Sequence, residues 1–424
     1  MIRGQLGGAS RVEPIRPNRS AGDPYSNPDL VQYLDSLEGA PDVLGPGETE
    51  AERERWAPWQ HRGNALFAQL GDVLPGLALA LTIAAIGSVV ANAFSTGFGF
   101  SGAPISPILV AILLGLIIRN SVGLPKIFEP GLALALKRLL RIGVALLGIR
   151  LSLAAAGTIG LVALPIVIGC IATALLLVTR IGRAVALPPR LSTLIAVGTA
   201  ICGNSAIVAL APTIEATDDE VSYAVGCVTL FGLVALVVHP FLAHALFDGD
   251  PTLVGLFLGT AIHDTAQVAG AGLVYAEQFG APDALDAATV TKLQRNMFMV
   301  AVIPAMAFSM QKRRPDTPLA AQLKAAIPFF VFGFIAMSLL RTLGDAGPEP
   351  FWGLLSSEAW QSAIASTTDL SKLLLTVAMA SVGLGTSFAR LSGLGFRPLA
   401  VGLAAAALVG GMSFVLVSLI GPFA

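Results

Sequence analysis

Residues 259–268 read GTAIHDTAQV, which puts His263, Asp264, Thr265 and Gln267 within five residues of an otherwise apolar stretch. An ionisable side chain at membrane depth costs about 2.5–3.5 kcal/mol on insertion scales, so it usually faces a cavity or a partner. The His263 imidazole is suited to proton exchange near neutral pH. Asp264 has the chemistry to coordinate a cation or to pair with Lys292, Arg295 or Arg141; the competing reading is a buried salt bridge that locks two helices. A second string, TAICGNSAIVALAP (199–212), carries Thr199, Asn204 and Ser205 among helix-weakening Gly198, Gly203 and Pro212, with Cys202 beside the weak point. Unwound backbone is tolerated at that depth only where protein or a water-filled cavity satisfies it. Helix ends freed by such a break hold ions, the N-terminal side favouring anions, although small residues also serve close helix packing. In VTKLQRNMF (290–298), Lys292, Arg295 and Asn296 share one helix face at i, i+3 and i+4. The planar fork of an arginine binds two oxygens of an oxyanion at once, whereas a basic side chain near a helix end can simply snorkel to the interface. Lys137 and Arg138 read as topological anchors, with Arg141 the one of the three placed to act; His239 and His244 read as packing or interfacial residues.

The elements that must position these groups are membrane helices. The 424 residues are 54% hydrophobic and only 12% charged, against about 25% charged in soluble domains, and the mean hydropathy is +0.76. Eleven apolar segments are long enough to cross a bilayer core of roughly 30 Å: 73–95, 104–120, 131–153, 158–179, 191–214, 221–246, 252–276, 289–310, 321–342, 366–389 and 397–421. Residues 1–62 are polar and rich in Pro, Gly and charge, and read as a disordered cytosolic tail; residues 63–424 form the transmembrane domain. The loops with Arg119 and Lys126, with Arg180, Arg183 and Arg190, with Lys312, Arg313 and Arg314, and with Arg390 and Arg397 alternate with glycine-rich or acidic ones. That asymmetry predicts a cytoplasmic N-terminus and an outside C-terminus in the inner membrane.

Eleven spans divide into one extra helix and two inverted five-helix repeats, with discontinuous helices expected at 197–208 and 379–388. Two rival echoes compete: GTAICGNSAIVA (198–209) with GTAIHDTAQVAG (259–270), and 137–153 with 372–388. The first rival pairs spans that this topology makes parallel, which sets it against an inverted repeat. The net charge of -1 gives no basic bias toward nucleic acid. Cys170, Cys202 and Cys227 have no disulfide or zinc spacing. No P-loop, HExxH or GxSxG string occurs, so neither a cofactor nor enzyme activity is expected.

Through ICGNSAI (201–207), GTAIHDTAQV (259–268) and TKLQRN (291–296), the sequence resembles the YeiH-type sulfate-exporter family of integral membrane proteins, over about residues 75–420. That family is similar to the superfamily of cation/proton antiporters and bile-acid-type symporters. The resemblance implies two inverted repeats with broken helices crossing at the substrate site. Carried over, the implied positions are Cys202, Gly203, Asn204, Ser205, His263, Asp264, Thr265, Gln267, Lys292, Arg295 and Asn296, with Thr199 added from the residues themselves. The expected function is a secondary transporter exporting a small inorganic or organic anion, sulfate or a sulfonate. H⁺ or Na⁺ is the coupling ion, the lipid bilayer and a homo-oligomer are compatible partners, and a cation/proton antiporter or an intramembrane His263/Asp264 enzyme are the alternatives.

Overall fold

The computed structural model describes residues 60–97, 106–310, 328–391 and 395–423. The predicted tail up to residue 59 lies outside the described residues, and a helix already under way at Gln60 passes through the expected boundary at 62. The all-α polytopic expectation holds: the described residues contain helices and no strand. In chain order these are α1 (Gln60–Gly97), α2 (Pro107–Ser121), α3 (Glu129–Leu134, a π-helical turn Ala135–Leu139, and Leu140–Leu146) and α4 (Leu153–Ala184). There follow α5 (Pro189–Ala200), α6 (Asn204–Leu210), α7 (Asp218–Leu246), α8 (Pro251–Ala261), α9 (Thr265–Phe279), α10 (Pro282–Met297) and α11 (Met299–Met310). The chain closes with α12 (Phe329–Gly344), α13 (Ser357–Gly385), α14 (Phe388–Leu391) and α15 (Phe396–Ile420). Five of these, in α1, α4, α7, α13 and α15, are long and apolar enough to cross a membrane. Large apolar side chains on their outer faces, such as Leu161 and Leu419, stay exposed because lipid, not water, is their solvent.

Two of the eleven expected crossings do not cross. At 1.5 Å per residue, a straight helix from Arg190 to Glu215 would separate its ends by about 38 Å, yet Arg190 Nη2 lies 3.4 Å from Glu215 Oε2. The segment enters on α5, turns at residues 201–203 and returns on α6 and the 3₁₀ turn Ala211–Ile214. Ile207 of the returning arm packs against Gly198 of the entering one. The second segment behaves the same way. The Tyr275 hydroxyl, near the end of α9, donates to Gly249 O (3.3 Å), two residues before α8 begins, and the Phe279 ring stacks on His244 at 3.9 Å. The neighbouring α10 confirms the reversal. It runs parallel to α8, with Gly255 against Ala284 and Ala287 and Gly259 against Ala288 and Thr291. It runs antiparallel to α9, with Asn296 bonded to Thr265 and Leu285 packed on Gly272.

Between the two hairpins stands α7, whose 29 residues extend about 43 Å, a full bilayer. Its start is fixed by a capping box of Thr217 and Glu220, with Asp218 and Asp219 against the positive helix end. The hairpins therefore open on opposite faces and meet tip to tip halfway. Among the described residues the other expected segments are helical, in α1–α4, α7, α10–α13 and α15. One face carries Lys126, Arg183 and Arg190, called the basic face below; the other carries Asp248, Asp250 and Asp283. The break expected at 379–388 is not in mid-helix: α13 is unbroken to Gly385.

The hairpin path is open to a direct check. Cysteines placed singly at Arg190 and Glu215 are expected to react with a membrane-impermeant maleimide from one face, and cysteines at Asp248 and Asp283 from the other. Reaction of the 190 and 215 positions from opposite faces, and likewise of 248 and 283, would restore eleven crossings.

The helices sort into two bodies. A frame is built from α1–α3, α12 and α13, with α2 and α13 brought close at Gly115 and Gly383 and α3 tied to α13 by Ser371 Oγ to Gly143 O (2.7 Å). A core holds α4, both hairpins, α7, α10, α11 and α15. Polar links cross between them on the face away from the basic loops. Arg150, at the elbow between α3 and α4, grips Asp286 with Nε (2.8 Å) and Nη2 (2.9 Å). Ser106, ahead of α2, bonds Glu277 through its hydroxyl (2.8 Å) and Gln278 through its backbone N–H (3.0 Å).

Candidate functional site at the hairpin tips

A helix that stops inside a membrane leaves carbonyls at its C-terminal end with no intrahelical donor, and burying them unpaired costs about 1–3 kcal/mol each. Here α5 and α8 both stop at mid-depth, and both sets of carbonyls are satisfied from one source, α10. Lys292 Nζ donates to Ile201 O (2.8 Å), to Ile262 O (3.1 Å) and to His263 O. Arg295 donates through Nε to Ala200 O (2.7 Å), through Nη1 to Thr260 O (2.7 Å) and Ile262 O (3.1 Å), and through Nη2 to Thr199 O. Both side chains are essentially inaccessible, at 1% and 0% exposure. Two cations are held there by the negative ends of two helices. The bonds obey a correspondence between the tips, since Thr199 and Thr260, and Ile201 and Ile262, are matching positions of the echoed strings 198–209 and 259–270.

This placement changes the expected role of the basic pair. Lys292 and Arg295 share a face as read, but their donors point at backbone, and neither lines the cavity. In this structure the Arg295 guanidinium clamps the two tips together. Among the described residues, no ion pair joins Lys292 or Arg295 to Asp264.

The returning arms begin at the same level. Gly203 takes φ +75°, a conformation open to glycine, and lies against Asp264 of the other tip. Asp264 Oδ1 accepts from Ala266 N (2.7 Å), capping α9. Asn204 Nδ2 donates to Thr229 Oγ1 (2.9 Å), Gln267 Nε2 to Thr229 O (3.2 Å) and Asn296 Nδ2 to Thr265 Oγ1 (3.0 Å). Cys202 is buried with its Sγ 3.0 Å from Met299 Sδ. His263 is 1% exposed, and neither ring nitrogen has a hydrogen-bond partner among the described residues.

A cavity lies between these tips and the frame. From the core it is lined by Asn204, Ser205, Thr229, Asp264, Thr265 and Gln267; from the frame by Lys137 and Arg141 of α3 among apolar side chains of α3, α12 and α13. It sits toward the basic face, where Phe330 lies in the first turn of α12 and α13 ends near Thr386. Of the twelve candidates, five (Asn204, Ser205, Asp264, Thr265 and Gln267) reach this cavity. Thr199, Cys202, Gly203, His263, Lys292, Arg295 and Asn296 stand behind it and build the tips. Arg141 lines it as read, and Lys137, read as an anchor, joins it, while Arg138 does not. Thr229 was missed; its signal is a threonine in the middle of the apolar α7 run GCVTLFG.

Residues 75–402 match the family described as conserved hypothetical protein 698. The chain belongs to that family. It is 30% identical over 309 residues to a UPF0324 membrane protein of Fusobacterium nucleatum, covering 72% of this chain and 87% of the relative. It is 32% identical to one of Streptococcus pyogenes (78% and 92%) and 31% identical to one of Agrobacterium fabrum (82% and 94%). No solved structure matches the chain. The family and its relatives' names establish a membrane protein and say nothing of a cargo.

Proposed function

We propose that this family member is a secondary transporter of the cytoplasmic membrane that carries a small oxyanion, sulfate or a sulfonate, against or along an ion gradient. The observation that carries the reading is the placement of the cavity. It lies where two hairpins from opposite faces meet, with a carboxylate and the N-terminal end of α9 on one wall and two cations on the other. A site at the midplane between oppositely inserted hairpins is reachable in turn from each face once core and frame shift. Because Lys292 and Arg295 bind both tips, the hairpins move as one body, and the α9 end stays in place relative to Asn204 and Asp264. The matching bonds to the two tips favour inverted repeats paired through 198–209 and 259–270. The anion is held by Arg141 and Lys137, in place of Arg295. Asp264 and His263, adjacent in sequence but facing cavity and core respectively, are the coupling pair. The basic face is cytoplasmic by the positive-inside rule.

The test is labelled sulfate flux into proteoliposomes, with and without an imposed pH gradient. Arg141→Gln is expected to lower flux about tenfold, the loss of one charge-assisted contact of roughly 1.4 kcal/mol. Arg138→Gln, exposed and off the cavity, is expected to leave flux within about twofold. Equal effects at 138 and 141 would mean surface charge and not a site. Cys202→Ala is expected to retain flux, which separates a carrier from a thiol enzyme.

A second reading, a cation/proton antiporter with Asp264 as the carrier, is favoured by one observation: Asp264 faces the cavity with no ion pair among the described residues. Gradient-driven Na⁺/H⁺ exchange without sulfate flux would select it.

A further inference from the structure

We infer that the cargo is an amphiphilic organic anion, a short-chain sulfonate or carboxylate, and not a bare inorganic anion; this rests on the anion-carrier reading above. The frame wall of the cavity carries the inference. On α3, two ridges of i, i+4 neighbours run side by side: Leu136, Leu140 and Val144 form one, Lys137 and Arg141 the other. The π-helical turn Ala135–Leu139 lies at the start of both ridges. Phe330 of α12 and Val382 of α13 extend the apolar ridge across the wall. The result is a strip of hydrocarbon about 12 Å long from Leu136 to Val144, lying alongside two cations and facing the polar hairpin tips.

Bare sulfate is polar on every side. Against this wall it would give up part of its hydration shell to side chains that offer no donor, and an unreplaced hydrogen-bonding shell is costly. An organic anion avoids that cost. Its head group meets Lys137 and Arg141, its chain lies on Leu136, Leu140 and Val144, and the tips close over it with Ser205 and Thr265. A buried methylene contributes about 0.8 kcal/mol, which is close to a fourfold gain in affinity per CH₂.

The test is calorimetric titration of the full chain in lipid nanodiscs with sulfate, ethanesulfonate, butanesulfonate and butylammonium. Butanesulfonate is expected to bind about tenfold more tightly than ethanesulfonate and more tightly than sulfate. Leu140→Ala is expected to reduce the dependence on chain length. Leu136→Thr, at a half-buried position that tolerates a polar group, gives the same readout if Leu140→Ala fails to fold. Sulfate binding as tightly as butanesulfonate would overturn the amphiphilic cargo while leaving the anion carrier standing. So would chain-length dependence untouched by the folded variant, or butylammonium binding as well as butanesulfonate, which would mark simple bilayer partition. Failure of every anion, sulfate included, would overturn both readings together.

Discussion

Replacing Arg295 with leucine is expected to cost the protein its fold before it costs the protein any cargo. The guanidinium makes four hydrogen bonds to the carbonyls of Thr199, Ala200, Thr260 and Ile262, at the stopped ends of α5 and α8. Leucine supplies none, and about 1–3 kcal/mol is lost for each buried acceptor left alone. Lys292 has its bonds to Ile201, Ile262 and His263 and cannot serve both sets. Even with partial relaxation the loss is several kcal/mol, a large part of the roughly 5–15 kcal/mol by which proteins are stable. At about 1 °C per kcal/mol, from roughly 2.1 cal/mol/K of unfolding entropy per residue over a chain of this length, the Tm of the purified protein is expected to fall by roughly 4 °C or more. Arg295→Lys, keeping the charge with fewer donors, is expected to fall between. An Arg295→Leu protein with an unchanged Tm and lost anion binding would return Arg295 to the role of anion holder.

Asp264→Asn separates charge from shape. The asparagine side-chain oxygen still caps α9 in place of the bond to Ala266 N, so the tip is expected to keep its geometry and the protein its Tm within a few degrees. What disappears is the one carboxylate on the cavity wall among the described residues. Flux is expected to fall at least about tenfold, with the remainder insensitive to an imposed pH gradient, because a group that no longer ionises cannot link the two fluxes. Gradient-dependent flux at the wild-type rate in a folded Asp264→Asn protein would remove Asp264 from the coupling.

The sequence makes the class and the chemistry legible but not the path of the chain. Charge sparsity and eleven apolar runs identify an all-helical membrane protein. Polar groups set in apolar runs point to the two tips, since His263, Asp264, Asn204 and Ser205 are tolerated there only around a cavity or a partner. The hairpins are hidden because 191–214 and 252–276 have the length of a crossing, and periodicity along each arm is that of any buried helix. One signal did exist: the DGDP loop (248–251) has no basic residue, as fits the face opposite the basic one. The acidic string EATDDE (215–220) pointed the other way, since it falls on the basic face, where Glu215 meets Arg190. The echo of GTAICGNSAIVA in GTAIHDTAQVAG looked incompatible with inversion only while both segments were taken to cross. Lys137 was legible as basic and near a loop; nothing in the residue string reveals that it turns toward a cavity. Arg295 was legible as deep and buried, but whether its fork meets a ligand or two helix ends depends on packing between segments far apart in the chain.

Transport by alternating access requires a site at the hairpin tips that each face reaches in turn. Ser205 tests it most directly, being exposed in the cavity beside the turn of the first hairpin, while Cys170, Cys202 and Cys227 are buried. In oriented proteoliposomes, Ser205→Cys is expected to react with an impermeant thiol reagent from the basic face and, under an opposing ion gradient, from the other face as well. Transported anion is expected to slow both reactions. Reaction from one face only, unchanged by gradient or anion, would contradict an alternating site and with it the transporter.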